Sequence, residues 1–485
     1  MPNDVARNFA VCDRGLVVAP AGCGKTHLIA EAVGHAKGKQ LVLTHTHAGV
    51  HALRTKLTAV GVPSGKYHVT TIDSHALCYS NAFPNLAGWN CDYPSGDEEW
   101  GALRMAACRL FRCRAPRRVL RASYTGMFVD EYQDCCGTQH AMIEAIAEML
   151  PCRIVGDPLQ AIYRKLHAND IAKWSEVEEV FPVVAELTEP HRWRKRNSKL
   201  GDWLDDVRSH LKKGKEVDFT NAYGIMKWIP SSDMQNQIAA CYKTFDKTGV
   251  VAICDWPERC ATVASKTRNH FAVLESVECP DLLKVAKDIE NSNGLNLVEC
   301  IVDFAQRCFT GMTSLVDLLD RMKKGKDYCP RSPDKVLLWK AMQMVVKSAD
   351  LRAVEEMMSA IDDLSDTHYY KRRELWQDMK RTVQCYDSGL GRNLRESAWA
   401  FRDHARRNGR RVLSNWIVAT PLLIKGLEFN HALLLDATQM GSAEELYVAL
   451  TRGSFSLTVL SSEPKVIHPV PFWIKENSLE IHSIQ

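Results

Sequence analysis

Glycine, lysine and threonine stand together where they could grip a phosphate. Ala19-Pro20-Ala21-Gly22-Cys23-Gly24-Lys25-Thr26 has the form A-x-x-x-x-G-K-T. It follows a short apolar run, Leu16 to Ala19, and precedes Leu28, Ile29, Ala32 and Val33, spaced as on one face of a helix. In such a strand–loop–helix, Gly22 and Gly24 let the backbone turn its N–H groups onto phosphate oxygens, and the helix start adds partial positive charge. Lys25 then reaches the terminal phosphates and the Thr26 hydroxyl ligates Mg2+. The residues expected at the nucleotide are Ala21, Gly22, Cys23, Gly24, Lys25, Thr26 and His27. Cys23 lies near a helix start and Lys25, which lowers a thiol pKa, but a small residue that fits the turn is the favoured reading.

Such a loop needs carboxylates for the metal and for the attacking water. About 105 residues on, Phe128-Val129 lead into Asp130-Glu131-Tyr132-Gln133-Asp134. Asp130 suits Mg2+, and Glu131 suits deprotonation of water. A third block, Arg153 to Tyr163, ends a strand in G-D-P-x-Q, and the neutral amide of Gln160 can distinguish a triphosphate from a diphosphate.

With these blocks in place the chain resembles the UvrD/Rep-type superfamily 1 helicases. DEYQD (Asp130 to Asp134) matches that family's second block, VGDPLQAIY (Val155 to Tyr163) its third, IKGLEF (Ile424 to Phe429) its fifth and LYVALTRG (Leu446 to Gly453) its sixth. LVLTHTHAGVHALRTKL (Leu41 to Leu57) and TIDSHAL (Thr71 to Leu77) resemble its early DNA-contacting blocks. The resemblance implies an α/β fold of two RecA-like P-loop NTPase domains with small, mostly helical inserted subdomains. ATP and Mg2+ would sit in the cleft between the domains. By the same resemblance Arg192 and Arg452 are transition-state arginines, Glu428 contacts the nucleotide sugar, Gly426 belongs to the nucleotide-binding set, and His191 stacks on the base. Thr44, His45, His75, Tyr163 and Thr420 would touch nucleic acid. The family's upstream adenine-reading glutamine is missing, since no Gln precedes Gln40; His45 and Leu422 replace an expected Phe and His; and Arg164-Lys165-Leu166-His167 replaces a stacking segment.

Those blocks set the expected boundaries. Residues 1–75 and 123–195 form the first RecA-like domain, with a short basic insert at 76–122. Residues 196–275 and 413–485 form the second, with a helical accessory insert at 276–412. Within the latter, Asp281 to Asn291, Leu297 to Phe309, Ser314 to Met322, Lys335 to Lys347 and Arg352 to Leu364 carry helical spacing. Seven arginines and no acids lie between Arg104 and Arg121, and further basic clusters lie at Arg192 to Arg196 and Arg402 to Arg411.

Bulk composition excludes rather than identifies. Over 485 residues, 62 Lys and Arg against 58 Asp and Glu do not mark a nucleic-acid protein, so that role must come from local patches. Seventeen cysteines without a C-x-x-C pair read as reduced structural thiols. No apolar run nears the ~20 residues of a membrane span, and the first residues do not read as a signal peptide, so a cytoplasmic protein without membrane contact is expected.

The activity implied is an ATP-dependent single-stranded-DNA translocase or helicase, moving 3′ to 5′, on single strands or DNA ends. The alternative is a DNA-sensing ATPase that regulates a partner nuclease, as the size and layout resemble the helicase-like subunit of the Gabija anti-phage system.

Overall fold

The computed structural model describes residues 2–90, 94, 97–163, 172–222, 224–230, 233–242, 249–268, 270–274, 280–325, 328, 330–348, 350–369, 372–387, 393–395, 397–398 and 415–471. The chain divides into two compact units, Met1–Asp255 with Thr420–Gln485, and Trp256–Ala419. Segments 164–167 and 402–411 lie outside the described residues.

Along the chain the described strands are β1 (Arg14–Val18), β2 (Gln40–Thr44), β3 (Tyr67–Thr71), β4 (Gly126–Val129), β5 (Cys152–Gly156), β6 (Val183–Glu186), β7 (Val217–Asp218), β8 (Lys227–Pro230), β9 (Val250–Ile253), β10 (Ala272–Val273), β11 (Phe309–Thr310), β12 (His368–Tyr369), β13 (Trp416–Ala419), β14 (Phe429–Leu434), β15 (Gly453–Ser461) and β16 (Lys465–Val466).

In the first unit β1 to β6 form a parallel sheet in the order β3-β2-β4-β5-β1-β6. β2, β4 and β5 are buried at every position, as near-continuous apolar runs covered on both faces should be. Alternate side chains go to opposite faces. Val17, Val42, Phe128 and Val155 join Phe9 and Leu28 on one side. Leu16, Leu43, Met127, Val129 and Ile154 join Tyr79, Phe111, Met142 and Ile146 on the other. The basic segment belongs to this second layer, since the helices Asp97–Leu110 and Arg114–Ser123 send Leu103, Ala107, Leu110 and Leu120 into the same core.

A second parallel run in that unit has the order β9-β14-β15-β8, and β16 pairs antiparallel with β7. The other unit is mainly helical: 257–266, 280–290, 294–306, 313–323, 333–348, 351–362 and 373–387. There β10 pairs with β13 in parallel and β11 with β12 antiparallel. Its core closes around fully buried Trp376, whose ring lies 5.0 Å from both Phe304 and Phe309. Among the described residues no helix is long and apolar enough to cross a membrane.

Candidate active site

Parallel strands deliver their following loops to one edge of a sheet. β5 lies between β1 and β4, so the G-D-P-x-Q block emerges between the phosphate loop and the Asp130-Glu131 pair. The loop after β1 depends on two left-handed glycines, Gly22 at φ 74° and Gly24 at φ 86°. A Cβ on Gly22 would fall 2.5 Å from Trp193 Cζ3, so that position accepts no side chain. Gly24 opens the helix Lys25–His35 and supplies no side-chain cap. The first N–H groups of that helix have no intrahelical acceptor, which suits an anion. The loop geometry and the uncapped helix therefore fit a phosphate. The exposed His27 instead faces along its helix to Glu31, 3.2 Å away.

Lys25 Nζ meets Glu131 Oε2 at 3.0 Å. Burial works against the lysine charge, but Glu131, Asp157 and Asp130 together hold its pKa above the ordinary value. Burial also pushes Asp130 up, with the Glu131 charge adding to it. Glu131 is driven the other way: burial opposes its charge, but Lys25 and Lys425 overcome that and keep it ionised. Gln133 donates to Glu131 Oε2 at 2.5 Å, and the Glu131 N–H donates to Asp130 Oδ1 at 2.9 Å. Glu131 adopts φ 53°, a left-handed backbone that a non-glycine residue takes only when its surroundings enforce it.

Gln160 is buried and its amide donates to Asp157 Oδ2 at 2.7 Å. Its backbone carbonyl accepts from Lys425 Nζ at 2.5 Å. Lys425 also reaches Asp134 Oδ2 at 2.6 Å, and both side chains are 5 % exposed. Burial outweighs that partner and pushes Asp134 up to about 6. From the sixth block, the Tyr447 hydroxyl accepts from the Ala21 N–H of the phosphate loop at 3.3 Å.

The two arginines sit on this same side. Arg192 N donates to the Gly22 carbonyl at 3.2 Å, Nη1 to Thr451 O at 2.7 Å and Nη2 to Glu428 Oε1 at 2.6 Å. Arg452 is 1 % exposed and held by Val448 O at 2.8 Å, Leu427 O at 3.1 Å and Thr451 Oγ1 at 2.9 Å. Burial, aided by Arg192, lowers its pKa to about 9. His191 is half exposed, and its Cδ2 lies 3.5 Å from where a Gly24 Cβ would stand. Gly426 has φ 78° with open space beside it.

Cys23 has the environment of a small residue filling the turn and not that of an activated thiol. It is 6 % exposed, and burial pushes the thiol up to about 12. The nucleic-acid set divides. His75 is 2 % exposed, packed against Tyr79 at 4.9 Å and Phe111 at 5.8 Å, and burial lowers its pKa to about 3. It is a core residue with no ring face for a base. Thr44 and Thr420 are also buried, and His45 is held near Cys135 Sγ at 3.5 Å. Tyr163 is half-buried with Lys425 Nζ 5.3 Å from its ring centre. Of the basic cluster, Arg104 is internal, forked onto Asp73 at 2.8 Å through both Nε and Nη2. Arg112, Arg114, Arg118 and Arg121 are exposed.

Lys425, Asp134, Arg208 and Tyr447 are the residues of this site that composition and spacing did not single out. Lys425, Asp134 and Tyr447 lie within the sequence blocks and Arg208 outside them, but a lone charge or phenol has no periodicity to mark it.

The family described as the UvrD/REP helicase N-terminal domain matches residues 95–181. No curated protein gives a significant match. Arterivirus nonstructural protein 10, a helicase solved with DNA, is 16 % identical with a TM-score of 0.25, covering 51 % of this chain and 49 % of its own. The Pif1 helicase from Bacteroides, solved with ADP-AlF3 and single-stranded DNA, is 12 % identical with a TM-score of 0.29, covering 54 % of this chain and 55 % of its own. The chain thus spans about half the length of the solved structures it matches. What the comparisons establish is local: a UvrD/REP-type segment carrying the Asp130-Glu131 block.

Proposed function

We propose that the chain is an ATP-hydrolysing motor of UvrD type acting on single-stranded DNA. The observation that carries this reading is the Lys25–Glu131 pair at 3.0 Å beside a glycine loop, with Arg192 bound to the same loop through the Gly22 carbonyl. Phosphate arrival draws Lys25 off Glu131 and frees an ionised carboxylate to take the proton of the attacking water. The water oxygen then bonds to the γ-phosphorus as the bond to ADP breaks. Arg192 leaves Glu428 to meet the charge that builds on the transferred γ-phosphoryl group, joined by Arg452, and Gln160 orients the water. Thr26 and Asp130 are the residues that would hold Mg2+, which supplies positive charge at the phosphates. Glu428, Gly426 and His191 face the sugar and base.

Lys25→Ala should lower ATP turnover by about 10²–10³-fold and Glu131→Gln by about 10²–10⁴-fold, with the folded state retained. Turnover at the wild-type rate in either variant refutes the assignment. ATPase rates with single-stranded DNA, duplex ends, RNA and no nucleic acid, together with strand displacement on 3′- and 5′-tailed duplexes, test substrate and direction.

A second reading is a DNA-sensing ATPase that regulates a partner nuclease in anti-phage defence. It is favoured by the burial of His75, Thr44 and Thr420, which leaves fewer side chains to grip a track. Stimulation by DNA without strand displacement, and co-purification with a nuclease from the native host, would select it.

A further inference from the structure

Arg208 lies outside every sequence block described above, on the helix Ser198–Lys212, and is 3 % exposed. Its Nη1 donates to both oxygens of fully buried Asp157, at 2.8 and 2.9 Å. Asp157 in turn accepts from the amide of Gln160 at 2.7 Å. The guanidinium carbon lies 5.5 Å from the centre of the Tyr447 ring, and the hydroxyl of that ring accepts from the Ala21 N–H of the phosphate loop. Among the described residues Arg208 Nη2 is buried without a hydrogen-bond partner, the Glu186 carboxylate standing off at 4.0 Å. A buried ion pair is costly to desolvate and is often matched in stability by apolar packing. An incompletely satisfied guanidinium is therefore a poor device for merely holding a helix in place, whereas its two neighbours lead directly to Gln160 and to the phosphate loop.

We propose that Arg208 is a positioning residue for hydrolysis at this site: through Asp157 it sets the amide of Gln160, and through Tyr447 it sets the Ala21 N–H. This rests on the reading that the site hydrolyses ATP. Arg208 keeps the sensing amide and the loop in register, so its loss falls on turnover of the triphosphate and spares the diphosphate, which has no γ-phosphate for Gln160 to meet.

Arg208→Lys keeps the charge but not the planar fork. Its kcat for ATP should fall by at least about 10-fold while ADP affinity stays within about 2-fold, and in a Gln160→Ala background the same substitution should cost several-fold less kcat. Unchanged kcat overturns the proposal, as does a loss of kcat that is undiminished in the Gln160→Ala background. Tyr447→Phe leaves the buried pair intact, so it serves where Arg208→Lys fails to fold. Because it acts through the Ala21 N–H, it should lower kcat by about 3- to 10-fold whether or not Gln160 is present, and an unchanged kcat in this variant also overturns the proposal. Wild-type protein lacking any ATPase activity sensitive to Lys25→Ala refutes the broader reading, whereas an active wild type with an unaffected Arg208→Lys refutes this one alone.

Discussion

Among the described residues Arg452 is held by backbone carbonyls and a hydroxyl with no carboxylate among its hydrogen-bond partners, while Arg192 has Glu428. Two guanidinium groups thus share a region with one exposed acid, which favours an incoming polyanion. Arg452→Lys cannot satisfy the same spread of acceptors and should reduce ATP turnover by about 10³-fold while costing about 1–3 kcal/mol of stability from the orphaned carbonyls. Turnover assays and thermal unfolding of the variant check both. Cys23 behaves in the opposite sense to a reactive thiol. Burial pushes its thiol up to about 12, so it stays protonated at pH 8. Iodoacetamide at pH 8 followed by peptide mapping should find Cys23 unmodified in the native protein, and rapid alkylation there would contradict the burial. Residues such as Lys25, Glu131 and Gln160 were legible because short-range neighbours mark them. Lys425 and Asp134 were not, because their pairing joins positions 291 apart in the chain. Arg208 reaches Asp157 across 51 positions and follows no pattern. His75 carried a local clue, since an aromatic four residues on, Tyr79, places both rings on one side of a helix and hence inside.

Among the elements, the helix Arg114–Ser123 shows how one segment serves two ends. Pro116 and Leu120 face the core, and Arg114, Arg118 and Arg121 face outward. Arg117 has an acidic neighbour, Glu148, at 3.4 Å. Replacing Arg114, Arg118 and Arg121 with Glu should weaken binding to single-stranded DNA and flatten the slope of log K against log salt by about 0.7 for each phosphate that the protein no longer neutralises. An unchanged slope, read by fluorescence anisotropy between low and moderate salt, would assign these arginines to solvent. The run of seven arginines was visible in the sequence, but their division was not. Arg104 is spaced like the others and yet is turned inward by Asp73, a residue 31 positions away. Five helices of the second unit were legible, whereas Pro257–Lys266 and Arg373–Asp387 were not marked by the sequence reading. Gly294–Gln306 and Leu351–Asp362 fall close to the segments marked by apolar spacing, because an amphipathic helix carries its periodicity in local order.

For the molecule as a whole, each unit has its own buried core, and the second is built around Trp376. Trp376→Ala should destabilise that unit by about 3–5 kcal/mol. In calorimetry of the full chain, the substitution should move one unfolding transition, and a non-hydrolysable ATP analogue should raise the other. If the analogue raises the transition that Trp376→Ala lowers, the assignment of nucleotide binding to the first unit fails.

The first unit is also interrupted in sequence, since its two segments flank Trp256–Ala419. β9 ends at Ile253 and its parallel neighbour β14 begins at Phe429. During synthesis at about 5–20 residues per second, the roughly 175 intervening residues delay β14 by about 9–35 s. Throughout that interval β9, an uncharged Val-Val-Ala-Ile strand, lacks its β14 neighbour. The nascent chain therefore passes through a window in which a holdase or early folding of residues 256–419 governs yield, and a truncation ending before β14 should be captured by chaperones or aggregate where the full chain does not.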